Sequence, residues 1–359
     1  MGDTGPRPQG RRADGRRRSH ITSTYPDANI ILEPAVAQNF HHRLARPAYT
    51  VPPPPHATPF PFTQSPDART PQHHLLHDAA GARSFSALEQ HTNAYHAKTD
   101  VLATLGGDGT ILHAASLFST SRSVPPLLSF AMGTLGFLGE FKFGEGAGAF
   151  AALRRGGGDV RVLRRHRLKA GVYGRDGARV AGEWREYEGI EDAHAMNELS
   201  LHRGRNPHLA ILEIFIGPHF LTEAVADGII VSTPTGSTAY SLSSGGSILH
   251  PAVQSLLVTP ICPRSLSFRP LVLPADAKIT LRLSERNRGR EVEVSVDGRR
   301  WGGLQPGQEV RLWLEELAGD GCEGGIPCVK RLSGPGAEDG WVGGLNGLLK
   351  FNYPFGEEE

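Results

Sequence analysis

Asp108 stands inside Leu105-Gly106-Gly107-Asp108-Gly109-Thr110, after an apolar run from Val101 to Leu105 and before an amphipathic one from Ile111 to Phe118. That order reads as strand, tight turn, helix. The glycines at 106, 107 and 109 let the main chain turn sharply and approach a ligand. The helix start directs free N–H groups and a positive dipole end at an anion, so the loop suits phosphate. A carboxylate among phosphate-binding amides is electrostatically awkward. Asp108 therefore needs a separate task, such as taking a proton from a hydroxyl or holding a cation. The alternative is that Asp108 only shapes the turn, since short glycine motifs also arise without function.

A second constellation runs from Asp227-Gly228 through Thr233-Pro234-Thr235-Gly236-Ser237-Thr238-Ala239-Tyr240 to Ser243-Ser244-Gly245-Gly246. A strand ending in Thr-Pro, then a turn crowded with hydroxyls, offers short donors and main-chain amides, and Tyr240 can pack beside a flat base. That suits a nucleotide, although a hydroxyl-capped turn before a helix would look the same. A third is Asn197-Glu198, whose adjacent amide and carboxylate can bond the vicinal hydroxyls of a ribose. By itself the pair also fits an exposed strand end with Arg203 as a surface ion partner.

The elements that must position these residues divide the chain in two, and 359 residues with 39% hydrophobic content suffice for two domains. Residues 1–24 form a basic tail with arginines at 7, 11, 12, 16, 17 and 18, expected to be disordered. Residues 25–145 make an α/β nucleotide-binding domain. Its strands are expected at Asn29 to Leu32, Val101 to Leu105 and Leu127 to Ala131, with a weak helix over 85–95. The glycine-punctuated loop Met132 to Gly139 lies at a carboxyl strand end, where ligands gather in open α/β sheets. The segment 46–75, rich in proline and histidine, reads as a disordered insert whose histidines lack metal-ligand spacing. Residues 146–330 carry strand runs at 161–173, 195–202, 209–216, 219–225, 228–232, 277–283, 291–297 and 308–314, which indicate a β-sandwich. Over 331–359, Trp341, Leu345, Leu348, Leu349 and Phe351 predict a closing helix that packs back on the α/β domain.

Thirty-eight lysines and arginines against 37 acids leave no global field for nucleic acid or an anionic membrane. No apolar run approaches the ~20 residues of a membrane helix. Cys262, Cys322 and Cys328 show no zinc spacing and are odd in number, which fits a reducing compartment without structural disulfides or a protein-held metal.

The segments GGDGT, Asn197-Glu198, the Asp227 to Tyr240 block and Ser295-Val296-Asp297-Gly298 occur in the order of the NAD kinase family, which the chain resembles over residues 100 to 315. Thr259 to Pro270 and Trp341 to Asn352 resemble fungal mitochondrial NADH kinases in particular. The resemblance implies an N-terminal Rossmann-like, phosphofructokinase-like α/β domain and a C-terminal β-sandwich, with the active cleft between them. It also implies ATP-dependent phosphorylation of the adenosine-ribose 2′-hydroxyl of NAD or NADH, with Mg²⁺ or another divalent ion accompanying ATP. Asp108 becomes the general base. Gly106, Gly107, Gly109, Thr110 and His113 line the phosphate or dinucleotide site, and Asn197 and Glu198 meet ribose hydroxyls. Thr238, Ala239, Tyr240 and Ser243 surround the nucleotide, with Arg203 and Asp227 as weaker members. The family's opening βα unit has no counterpart before Tyr25. A homo-oligomer in the mitochondrial matrix is expected, with the cytoplasm as the alternative compartment. Two other readings stay open: a lipid kinase, which shares GGDGT without needing the nucleotide wall, and a non-catalytic dinucleotide-binding protein.

Overall fold

A computed structural model describes residues 21, 23–34, 36–37, 48–50, 74–75, 95–119, 121–133, 135–156, 160–180, 192–317, 323–331 and 340–349. The contacts divide the chain into two compact units. The first comprises Met1–Ala114, Pro125–Val162 and Cys328–Glu359, and the second Ala115–Val124 and Leu163–Pro327.

In the first unit Leu102–Leu105 pairs in parallel with Leu127–Ala131, Leu102 opposite Leu127 and Leu105 opposite Phe130. On the other side of Leu127–Ala131 lie Phe141–Lys142 and the returning strand Ile326–Lys330, both parallel to it. All five residues of Leu127–Ala131 are buried, as a parallel strand covered on both faces requires. Leu128, Phe130, Phe141 and Val329 form a core against which Ala149, Phe150 and Leu153 pack. Those last three belong to the helix Gly146–Arg155. This corrects the expected boundary at 145/146: the apolar face of that helix is committed to the α/β core, and the division falls at 162/163.

Two other expectations change here. Order begins before residue 25, because Ile21, Ser23 and Thr24 are helical and Tyr25 N–H donates to Ile21 O at 2.9 Å. The Tyr25 ring lies edge-on to Phe150 at 5.1 Å and under the Arg154 guanidinium, which pairs with Asp27 at 2.7 Å. The segment 46–75 is not wholly unstructured, since Tyr49–Thr50 and His74–Leu75 form, with Ile31–Leu32, a small parallel sheet. Residues 1–20, 51–73 and 85–94, which carry the rest of the basic tail, the polyproline run and most of the weak helix, lie outside the described residues.

The second unit contains two antiparallel six-stranded sheets. One runs Leu271–Pro274, Ser255–Ile261, Gly228–Ser232, Glu198–His202, Val292–Val296, Arg299–Leu304. The other runs His219–Ala226, Ala210–Ile216, Ile279–Leu283, Glu309–Leu314, Leu168–Tyr173, Ala193–Ala195. Alternate residues from both, among them Leu199, Leu201, Ile229, Val294, Leu212, Ile214, Leu281 and Leu312, make one continuous core. The expected run 161–173 is two strands, Arg161–Arg165 beside Ile326–Lys330 and Leu168–Tyr173 in the second sheet. Ser255–Ile261, fully buried, adds a central strand to the expected runs, although its Pro260 is a residue type that central strands disfavour. Pairing to Leu271–Pro274 ends at Val258, so Pro260 has only Ile229 opposite it.

Candidate active site

The helix after the glycine turn begins at Asp108, three residues earlier than the amphipathic run suggests, and ends at Ser116. An acid in the first turn is favoured by the helix dipole. The Asp108 carboxylate is also held from outside its own loop: Phe137 N–H donates to Oδ2 at 3.0 Å and Leu138 N–H to Oδ1 at 3.1 Å. Both donors come from the loop after Leu127–Ala131. The two loops fit so closely that a Cβ on Gly136 would lie 2.3 Å from Asp108 Oδ1. Each carboxylate oxygen keeps a second lone pair, which leaves an oriented, half-buried acceptor able to take a hydroxyl proton. The space over Gly107 and Gly109 is open, with no atom of the described residues within 4 Å of a hypothetical Cβ. His113 Nε2 lies 2.7 Å from Glu33 Oε1, each side chain about a third exposed.

In the second unit Asn197 and Glu198 are buried, 7% and 5% exposed, rather than lying at an exposed strand end. Asn197 Oδ1 and Glu198 Oε2 are both enclosed with no hydrogen-bond partner among the described residues. Buried polar atoms normally have one, so these are the strongest internal sign of a ligand. Burial, then the neighbouring Asp297 carboxylate, pushes Glu198 up to about 8, against a bond from the Tyr240 main chain that lowers it. Tyr240 is 39% exposed. Its phenol is raised by partial burial and then by the charges of Cys262, Asp227 and Glu198. Arg203 pairs with Asp227 at 2.5 Å, not with Glu198.

The hydroxyls of the Thr-Pro-Thr-Gly-Ser-Thr turn hold the turn itself. Thr233 Oγ1 donates to Met196 O at 2.6 Å and accepts from Gly236 N–H. Ser237 Oγ donates to Pro234 O at 2.6 Å and accepts from Leu249 N–H, and Thr238 Oγ1 donates to Thr235 O. A Cβ on Gly236 would meet Asn197 O at 2.1 Å, so the turn lies directly on the Asn197 main chain. This corrects the expectation of a row of free donors: the turn is a rigid platform, with Thr238 and Ala239 half-buried and Tyr240 and Ser243 exposed on it.

Sequence reasoning missed four contributors. The Phe137 and Leu138 amides carry no side-chain signature, although the glycine loop announced them. Asp297 was noticed as part of a motif and given no role. Arg165 is 5% exposed, donates to Thr235 Oγ1 at 3.2 Å, and has an enclosed Nε with no partner among the described residues. In a run of basic residues it gave no sign of burial.

Residues 37–157 match the family model described as the ATP-NAD kinase N-terminal domain, and residues 196–316 match that of the ATP-NAD kinase C-terminal domain. The mitochondrial NADH kinase of Schizosaccharomyces pombe is 46% identical over 336 residues, covering 94% of this chain and 70% of that protein. The mitochondrial NADH kinase of Saccharomyces cerevisiae is 36% identical over 362 residues, covering 94% and 76%. A crystal structure of yeast NADH kinase complexed with NADH superposes with a TM-score of 0.72 at 36% identity, covering 99% of this chain and 88% of that one.

Proposed function

Because the chain belongs to the ATP-NAD kinase family, we propose that it transfers the terminal phosphoryl group of ATP to the adenosine-ribose 2′-hydroxyl of NAD or NADH, producing NADP or NADPH. Asp108 acts as the base: it accepts the 2′-hydroxyl proton as that oxygen bonds the terminal phosphorus, and the bond to the departing ADP oxygen breaks. The two amides on its carboxylate support this role, because they fix its direction before substrate arrives. Gly107 and Gly109 leave main chain open to phosphate, whereas Gly106 N–H donates to Phe130 O and Thr110 N–H to Gly107 O, so these two shape the turn beside it, and His113 stands one turn further along the helix. A divalent cation enters as part of the ATP substrate, on its phosphates.

The observation that carries the reading is the enclosed, unpartnered pair Asn197 Oδ1 and Glu198 Oε2. A ribose diol supplies two groups that donate and accept, so it satisfies both at once. Tyr240 offers its ring to a base, with Thr238, Ala239 and Ser243 around it and the Arg203–Asp227 pair behind. The Rossmann-like and β-sandwich descriptions suit the parallel sheet of the first unit and the two antiparallel sheets of the second. The helix Gly340–Leu349, grouped with the first unit, is the proposed closing helix. The mitochondrial relatives support a mitochondrial location, and a homo-oligomer is proposed with it.

The test is direct. The full chain with ATP, Mg²⁺ and either NADH or NAD should form a product that an NADP-specific dehydrogenase accepts, while diacylglycerol or a sphingoid base in the same assay stays unphosphorylated. Phosphorylated lipid, or no product from either dinucleotide, would overturn the reading.

A further inference from the structure

The ladder between Glu198–His202 and Val292–Val296 stops at Leu199 opposite Val296. The N–H groups of Met196, Asn197 and Glu198 lie beyond it, and buried amides require acceptors. Asp297 supplies them all. Its Oδ2 accepts from Met196 N–H at 2.9 Å, and its Oδ1 accepts from Asn197 N–H at 2.8 Å and Glu198 N–H at 3.2 Å. Asp297 N–H returns the contact by donating to Glu198 O at 2.9 Å. Asp297 and Gly298 form the tip of the hairpin joining Val292–Val296 to Arg299–Leu304, with φ of 47° and 74°. Such turns accept Asn-Gly as readily as Asp-Gly, so the conformation alone does not call for a carboxylate. The amides do: an asparagine would set its own NH₂ donors against a main-chain N–H.

We infer that Asp297 is a positioning residue for the reaction, its carboxylate clamping three consecutive amides so that the Asn197 and Glu198 side chains face the dinucleotide ribose. The inference rests on the ribose-binding reading of that pair. Asp297 touches no substrate atom in this scheme and acts through the segment 196–198. Burial pushes its carboxyl up to about 6 in spite of the three bonds, as expected of a group turned inward.

The variant that separates positioning from turn formation is Asp297→Asn, which keeps the left-handed turn and loses one acceptor. With NADH as substrate, KM should rise about tenfold while kcat changes by less than about threefold and KM for ATP stays fixed, the loss expected for one strong hydrogen bond in ground-state binding. Asn197→Ala alone should raise KM for NADH. The double variant should fall short of the product of the two single effects, because both act on the same contacts. In the unaltered protein the amides of 196–198 should resist hydrogen exchange, a readout independent of whether any variant folds. An unchanged KM for NADH in Asp297→Asn, multiplicative effects in the double variant, or rapid exchange at 196–198 would each overturn the inference. If Asn197→Ala and Glu198→Gln both leave KM for NADH unchanged, the ribose reading itself fails and the inference falls with it.

Discussion

The two units carry carboxylates prepared in opposite ways. Asp108 is half-buried and faces two main-chain amides, so its charge is directed but not isolated. Glu198 is enclosed, has an oxygen with no partner, and lies near a second carboxylate that its surroundings also push toward the protonated form. A proton acceptor for a hydroxyl must be ionised and aimed, whereas a group that reads a diol gains from having its hydrogen-bonding capacity left unspent until the sugar arrives. The contrast agrees with the proposal that Asp108 does the chemistry and Asn197-Glu198 the recognition.

Asp108→Asn breaks that contrast most severely. Turnover should fall by about 10²–10⁴-fold with only a modest change in NADH binding. Steady-state kinetics checks it, and unchanged turnover removes Asp108 from the base role. Next is Gly136→Ala. Its Cβ would enter the space of the Asp108 carboxylate, 2.3 Å from Oδ1. Misdirecting the base without removing it should cost about 10²-fold in kcat, with the thermal midpoint little altered.

A third measurement addresses the second unit through pH. The folded chain holds protons on Glu198 up to about pH 8 and on Asp297 up to about pH 6, while in the unfolded chain these groups ionise near their ordinary values of 4.5 and 3.8. Their folded forms bind more protons across that window, so stability should fall as pH rises from about 4.5 to 8. Glu198→Gln should flatten the slope most between pH 6 and 8, and thermal melts of both proteins would show it. The smallest effect is expected for Arg203→Ala. The Arg203–Asp227 pair is partly exposed, 30% and 23%, and its loss should cost about 1 kcal/mol or less in urea unfolding, with catalysis nearly intact.

The proposed base and the proposed recognition pair were both legible in the sequence, for different reasons. Asp108 stood out because a carboxylate conflicts with its phosphate-binding neighbours, and local conflict survives in one dimension. Asn197-Glu198 was ambiguous alone, because burial is a property of the sheet and not of a dipeptide. The β character of the second unit followed from alternation; strands carrying prolines or glycines, such as Ser255–Ile261 and Arg299–Leu304, escaped, and so did most of the short Ala193–Ala195. Neither the clamp by Asp297 nor the bonds from Phe137 and Leu138 could be read, since each joins segments about 30 or 100 residues apart through main-chain atoms that every residue possesses.

Ile326–Lys330 reaches the first unit's sheet only after the whole second unit has been threaded. During vectorial synthesis, Leu127–Ala131 therefore leaves the ribosome long before this neighbouring strand exists, with a buried-type apolar edge exposed to any chaperone or stray strand. Nascent chains arrested shortly before residue 326 should be markedly more prone to proteolysis within 100–162 than chains released past 330.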